Sequence, residues 1–175
     1  MPKESAASRI QANIHELFKG KLAPGDSYIK FQLTAEITAL LSMEQVQASL
    51  IVPAKQITAL PGMSESIVGI MNSRDRVFCV YDLAHLLNLS TTLAASQQYQ
   101  IVILEIAKQS SSEQKIQVGL AVGQIGGITR LAGGSFRQPT NVPESLTPHV
   151  LASIGDEEQQ FVLDAAAITA AMMTK

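Results

Sequence analysis

Three histidines, one cysteine and a scatter of carboxylates are the residues of this chain best suited to chemistry. His15, His85 and His149 lie far apart, and none has a second ligand at a spacing that would build a recognisable metal site. Cys79 is alone, which excludes an internal disulfide framework and a thiolate zinc site. It lies inside the apolar run Val77–Tyr81, so a buried, inert thiol is favoured over a nucleophile. Asp82 and Asp164 form the one recurring acidic pattern, each closing an apolar run and opening a helical one. Together they would suit general acid–base work. Singly, each suits a helix N-cap, whose carboxylate accepts the unpaired first-turn N–H groups, and capping explains both at once. No serine stands in G-x-S-x-G. The glycines from Gly119 to Gly127 match neither G-x-G-x-x-G nor G-x-x-x-x-G-K-[ST], and better suit tight turns and close strand packing. The residues call for no catalytic centre, no metal and no cofactor.

What remains is a chain of 175 residues, 46% apolar but only 5% aromatic and without tryptophan, so aliphatic side chains must fill its core. Charged residues are 16%, below the roughly 25% of an average globular chain, which argues against disorder. With 13 basic and 15 acidic residues and no Lys/Arg run, the chain lacks the basic face expected of a nucleic-acid binder. No apolar run approaches the ~20 residues needed to cross a bilayer, and the first residues lack the apolar centre of a signal peptide. The expectation is a cytoplasmic protein with no direct membrane insertion.

The elements follow from periodicity. In residues 8–18, Ile10, Ile14, Leu17 and Phe18 share one helix face, with Ser8 as a cap and Gly20 and Pro24-Gly25 as the stop. So short a helix needs a surface to lie on, its own domain or a partner. Short strand-like runs follow at Tyr28–Leu33, Ile37–Met43, Val46–Val52 and Val77–Tyr81, then at Gln100–Ile106, Ile116–Val122, Ile125–Leu131, Leu151–Ile154 and Gln160–Leu163. Residues 108–113 read as a polar hairpin tip, Gly133–Pro148 as a long ordered loop, and Asp164–Met173 as a closing helix. So many short strands suggest barrels or a sandwich.

The two halves resemble each other. Ile37, Ala39, Leu41, Met43 and Val46 fall on Ile116, Val118, Leu120, Val122 and Ile125 at an offset of 79 residues. Val80-Tyr-Asp82 falls on Val162-Leu-Asp164 at an offset of 82. Two matches in the same order point to a duplicated β unit of about 80 residues. Each unit alone is small for a stable core and would gain by sharing apolar surface with the other.

A longer pattern runs through Ile57-Thr-Ala-Leu-Pro61-Gly62, Ile67-Val68-Gly69-Ile70-Met71, Asn72-Ser73-Arg74-Asp75 and Val80-Tyr81-Asp82-Leu83, ending at Leu86-Leu87-Asn88-Leu89. In physical terms Pro61-Gly62 is a turn, Gly69 marks a bulge or a close backbone approach, and Asn72–Arg76 must project into solvent between two strands. This series resembles the CheW family, the adaptors of bacterial chemotaxis arrays. That family's pattern is a P-G turn, an apolar-Gly-apolar strand, an N-L-R-G hairpin, a strand ending P-V-x-D-L and an L-L-G-L helix. The resemblance runs from about Tyr28 to Ala171. Departures are Ser73 and Asp75 for the Leu and Gly of N-L-R-G, Cys79 for the Pro, and Ala48 where an acid often follows the Val46 position.

The resemblance implies two SH3-like five-stranded barrels around a shared core, mainly β, with short N- and C-terminal helices. It divides the chain into an extension (1–26) with the amphipathic helix, a first barrel (27–90) and a second barrel with the C-terminal helix (91–175), the CheW-like domain spanning 27–173. It implies an adaptor coupling a CheA-type histidine kinase, through that kinase's CheW-like regulatory domain, to chemoreceptor cytoplasmic tips, in chemotaxis or a related twitching or phototaxis system. An apolar groove between lobes would take a receptor helix, and barrel edges would pair with the kinase. The expected contact residues are Val46, Ile57, Pro61, Gly62, Asn72, Arg74 and Asp75. Without the resemblance, Arg74 is a solvated hairpin arginine; with it, its five fixed donors would meet a partner's carboxylates or carbonyls. Two other readings are a regulator binding only one of these partners and a small-molecule-binding or hydrolytic β protein.

Overall fold

A computed structural model describes residues 25–93, 95–107, 115–155 and 159–174. The expected helix over 8–18 and the polar tip at 108–113 lie outside the described residues. The strands are β1 (Asp26–Gln32), β2 (Thr38–Ser42), β3 (Val46–Pro53), β4 (Ile67–Ser73), β5 (Arg76–Asp82), β6 (Gln98–Ala107), β7 (Lys115–Val122), β8 (Ile125–Leu131), β9 (Phe136–Arg137), β10 (Val150–Ile154) and β11 (Gln160–Leu163). Helix α1 (Leu83–Leu86) follows β5 and helix α2 (Ala165–Met173) follows β11.

The strands form two curled, barrel-like sheets, in the orders β8-β1-β2-β11-β10-β9 and β3-β6-β7-β5-β4. Each sheet draws strands from both sides of residue 90. The pairing follows the internal repeat. In the parallel pair β5–β7, Val80 lies opposite Gly119, and in the parallel pair β11–β2, Val162 lies opposite Leu40. Those are equivalent positions at offsets of 82 and 79. The irregularities recur as well. A bulge between Val46 and Ala48 in β3 has its twin between Ile125 and Gly127 in β8. A bulge between Ile67 and Gly69 in β4 has its twin between Val150 and Ala152 in β10. Bulges are built features of a fold, so their repetition at equivalent positions is strong support for duplication. The five-stranded sheet takes β6 and β7 from one copy and β3, β4 and β5 from the other, and the six-stranded sheet takes β1 and β2 from one copy and β8, β9, β10 and β11 from the other, so neither copy builds a sheet alone.

The central strands are buried on both faces. Ala39–Leu41 of β2, Ile101–Leu104 of β6 and Val118–Val122 of β7 are continuously buried. Alternation therefore fails there, because one face meets the other sheet and the opposite face fills its own barrel. The shared core between the sheets includes Ile29, Phe31, Leu41, Val102, Leu104, Leu120, Phe161 and Leu163, closed by Leu83, Leu86 and Ile168 from the two helices. A second cluster fills the β3-β6-β7-β5-β4 barrel: Val52, Met71, Phe78, Val80, Ile101, Ile103 and Ala121.

Both aspartates cap. The Asp82 carboxylate accepts the His85 N–H at 3.2 Å and also the Thr91 hydroxyl; the Asp164 carboxylate accepts the Ala166 N–H at 3.0 Å. Gly69 shows both features expected of it, the bulge and a close approach: a Cβ there would lie 2.3 Å from the Thr58 carbonyl oxygen. Two strands escape the periodicity reading. β4 is interrupted by its bulge, and β9, two residues long inside the Gly133–Pro148 loop, is too short to carry a period.

Candidate protein-interaction surface

The β4–β5 hairpin closes with Ser73 opposite Arg76 and only Arg74 and Asp75 between them. Their φ angles are 50° and 65°. Positive φ at both positions is the type I′ arrangement, whose twist matches that of the flanking strands. Arg74 and Asp75 are exposed, as is Asn72, which sits one step back on β4 opposite Val77. Among the described residues no carboxylate forms an ion pair with Arg74. Arg74 and Arg76 instead border a hollow of about 200 Å³ with Gln47, Ala48 and Leu50 of β3. Ala48 therefore stands across that hollow from the hairpin, at the position where the resemblance placed an acid.

Pro61 and Gly62 form an exposed turn, Gly62 at φ 78°, flanked by the partly exposed Leu60 and Met63. Thr58 pairs antiparallel with Ile70, which carries this turn toward the Ile67 end of β4. Arg74 is at the other end, about 20 Å away along a strand of this length. The expected contact residues therefore form two separate patches. Ile57 is half-buried against the second core cluster and Val46 is half-buried at the rim of the shared core. Their side chains mainly hold the strands that carry the exposed residues.

A larger, apolar concavity lies elsewhere. A groove of about 330 Å³ is walled by Val77, Cys79 and Tyr81 of β5, Ile116 of β7, Ile106 of β6 and Met172 of α2. Tyr81, Ile106 and Met172 also pack against the shared core, so the groove is where that core opens to the surface. Val77 is 68% exposed, Ile116 45% and the adjoining Met173 57%. Burial, then the neighbouring Cys79, push the Tyr81 phenol above its usual pKa, which keeps it neutral. A second hollow, about 290 Å³, continues through the shared residues Ile106 and Thr169 toward Gln45. The sequence reading expected an apolar groove between lobes but named none of its residues. The signal available was apolar side chains at alternate positions of β5 and β7 that continue past the core-forming stretch, and a Met-Met pair ending the last helix.

The groove holds little chemistry. Among the described residues its wall carries one thiol and one phenol, and no carboxylate or histidine. His85 lies 3.7 Å from Glu65 and is half-exposed. Among the described residues no three His, Cys, Asp or Glu side chains gather as metal ligands, and no helix is long and apolar enough to cross a membrane. The clearest electrostatic feature is on the barrel wall: Lys115 bonds Glu105 at 2.8 Å and Gln47 bonds it at 3.0 Å, and the Lys115 bond chiefly holds the Glu105 carboxyl below its usual range.

Comparison with known proteins agrees with this architecture. A model of the CheW-like domain matches residues 27–172. Among solved structures, the scaffolding protein TtCheW from Thermoanaerobacter tengcongensis is similar at 22% identity, covering 81% of this chain and 90% of that one, with a TM-score of 0.64. No match was found among curated proteins. The family match takes in both sheets, the bulged strands that repeat between them and nearly all of α2: the chain belongs to the CheW-like family, a family of non-catalytic chemotaxis scaffolds.

Proposed function

We propose that this protein is a cytoplasmic adaptor that couples chemoreceptor-type proteins to a CheA-type histidine kinase, in chemotaxis or a related motility pathway, without catalysing a step itself. The observation that carries this reading is the separation of three exposed features on one scaffold: the apolar groove, the Arg74 hairpin and the Pro61-Gly62 turn. An apolar groove with a Met-bearing wall suits the nonpolar face of a receptor helix. Strands β3 and β4 end the sheet order of one barrel, and such ends offer backbone N–H and C=O groups to a partner sheet such as the kinase's CheW-like domain. Binding both partners to one scaffold would fix their relative geometry, and kinase output follows from geometry.

Ala48 and Asp75 favour a second reading, a regulator that binds only one partner. The hollow beside Arg74 lacks the acid that the resemblance led one to expect, and Asp75 sets a negative charge next to the guanidinium. The test is a titration of the purified chain with a receptor-tip helical hairpin, with a kinase CheW-like domain, and with both. A ternary complex supports the adaptor and excludes the one-partner regulator. Retention of neither partner sinks both. Arg74→Glu is expected to weaken one of the two binary affinities about tenfold, roughly 1.4 kcal/mol, with unchanged unfolding. Unaltered affinity for both partners would remove Arg74 from the interface.

A further inference from the structure

We propose that residues 8–18 of this same chain fold as a helix into the apolar groove and compete there with an incoming partner helix. The idea rests on the groove reading above and adds its regulation. Three observations carry it. First, the segment bears an apolar stripe, Ile10, Ile14, Leu17 and Phe18, and a helix of about 16 Å with such a stripe is marginal in water until it is covered. Second, the groove is uncovered among the described residues, with Val77, Ile116 and Met173 exposed. Third, the chain enters the fold close by. The Met43 N–H donates to the Ser27 carbonyl at 2.9 Å, so the start of β1 lies beside Met43. Gln45, two residues on, borders the second hollow, which runs into the groove through Ile106 and Thr169. Residues 19–24 separate the stripe from Gly25 and reach up to about 20 Å when extended. A tether that short raises the effective concentration of the stripe at the groove to the millimolar range, which a separate partner must exceed.

Cys79, the only cysteine, stands in the groove wall and reports occupancy directly. In the full-length chain, single cysteines are placed on the stripe (Ile10→Cys, Ile14→Cys, Leu17→Cys, Phe18→Cys) and on the opposite helix face (Ala12→Cys). Oxidative crosslinking to Cys79 is followed by intact mass and non-reducing gel. At least one stripe variant is expected to form an intramolecular disulfide about tenfold faster than Ala12→Cys. Equal rates, or a disulfide-linked dimer as the main product, would overturn the proposal, the dimer assigning the groove to a second copy. In chains without the added cysteines, alkylation of Cys79 is expected to be about fivefold faster with Ile14→Glu and Phe18→Glu than with the native stripe; an unchanged rate also overturns it. A receptor-tip helical hairpin separates this idea from the adaptor reading. If the hairpin protects Cys79 in the Glu variant and binds it about fivefold tighter than the native chain, both stand. If it protects Cys79 equally in both chains, self-docking fails and the adaptor reading survives. If crosslinking succeeds but the hairpin never protects Cys79, self-docking survives and receptor binding at this groove fails.

Discussion

The two sheets share one topology but are filled differently. On the faces that meet in the shared core, equivalent positions are apolar in both copies: Ile29 with Val102, Phe31 with Leu104, Leu41 with Leu120, Leu163 with Tyr81. On the opposite faces the copies diverge. Ile101, Ile103 and Phe78 of one barrel correspond to Tyr28, Lys30 and Gln160 of the other. One barrel has an apolar interior. In the other, Leu40 and Val162 are buried while Tyr28 packs edge-on against Phe136, ring centroids 5.9 Å apart. The shared face is constrained from both sides, because any change there must suit both sheets. Each barrel interior answers only to its own strands, so it could drift after duplication.

That contrast sets the largest expected mutational difference. Phe78 is 4% exposed, and Phe78→Ala should cost about 3–5 kcal/mol through lost burial and a cavity. The equivalent pair Ile103 and Lys30 gives the direct comparison. Ile103→Ala should cost about 2–5 kcal/mol, and Lys30→Ala about 0.5 kcal/mol or less. Urea unfolding of the three variants measures this. Similar losses at Ile103 and Lys30 would mean that the polar barrel is packed as tightly as the apolar one.

The caps extend the comparison at smaller scale. Asp82 is 7% exposed and holds both the His85 N–H and the Thr91 hydroxyl, whereas Asp164 holds only the Ala166 N–H at a more open site. Asp82→Ala should cost about 2–3 kcal/mol, since it loses a cap and leaves a partly buried hydroxyl unpaired. Asp164→Ala should cost about 1 kcal/mol. Equal values in the same unfolding assay would show that Thr91 contributes nothing.

Much of this was legible in the residues. The repeat, both caps and the bulge at Gly69 could be read because each is local: a period of two, an Asp before a helix, a Gly inside a strand. The partition of strands between sheets was not. It depends on which strand lies beside β7, and the parallel pairs β5–β7 and β2–β11 join residues about 40 and 120 positions apart with no local mark. The groove was hidden for a related reason. Val77 and Ile116 continue the apolar alternation of their strands, and only the finite length of the other sheet leaves them uncovered. Pro61 reads as a turn residue and Arg74 as an exposed hairpin tip, yet sequence order gives no sense of their placement toward opposite ends of β4.

Acid titration offers a finer comparison. Glu105 of β6 pairs with Lys115, and its counterpart on β1 is the uncharged Gln32. A carboxyl held below its usual range is charged more readily in the folded chain than in the unfolded one. Its contribution is therefore complete above the ordinary carboxylate pKa and fades as the pH falls through the lowered folded value. The pair is open to solvent, so the effect is small. Glu105→Gln should flatten this part of the acid limb of a stability–pH curve without altering stability's shape near neutrality. An acid limb indistinguishable from that of the native chain would place the titrating charge elsewhere.

The smallest effect is expected at the hairpin tip, and its sign is the informative part. The first copy closes β4–β5 with two side-chain-bearing residues at positive φ, whereas the connection after β10 places a glycine, Gly155, at φ 71°. Asp75, at φ 65°, bears the strain that glycine would avoid. Asp75→Gly relieves that strain but gives the unfolded chain more freedom, and the two partly cancel. The net should be a gain of about 0.5 kcal/mol, or about 1–2 °C in Tm. If stability rises while partner affinity falls, Asp75 is kept for its charge at the interface and tolerated for its geometry. If both rise, the acid beside Arg74 was a cost to binding as well as to folding, and the first copy's hairpin has drifted as the second barrel's interior did.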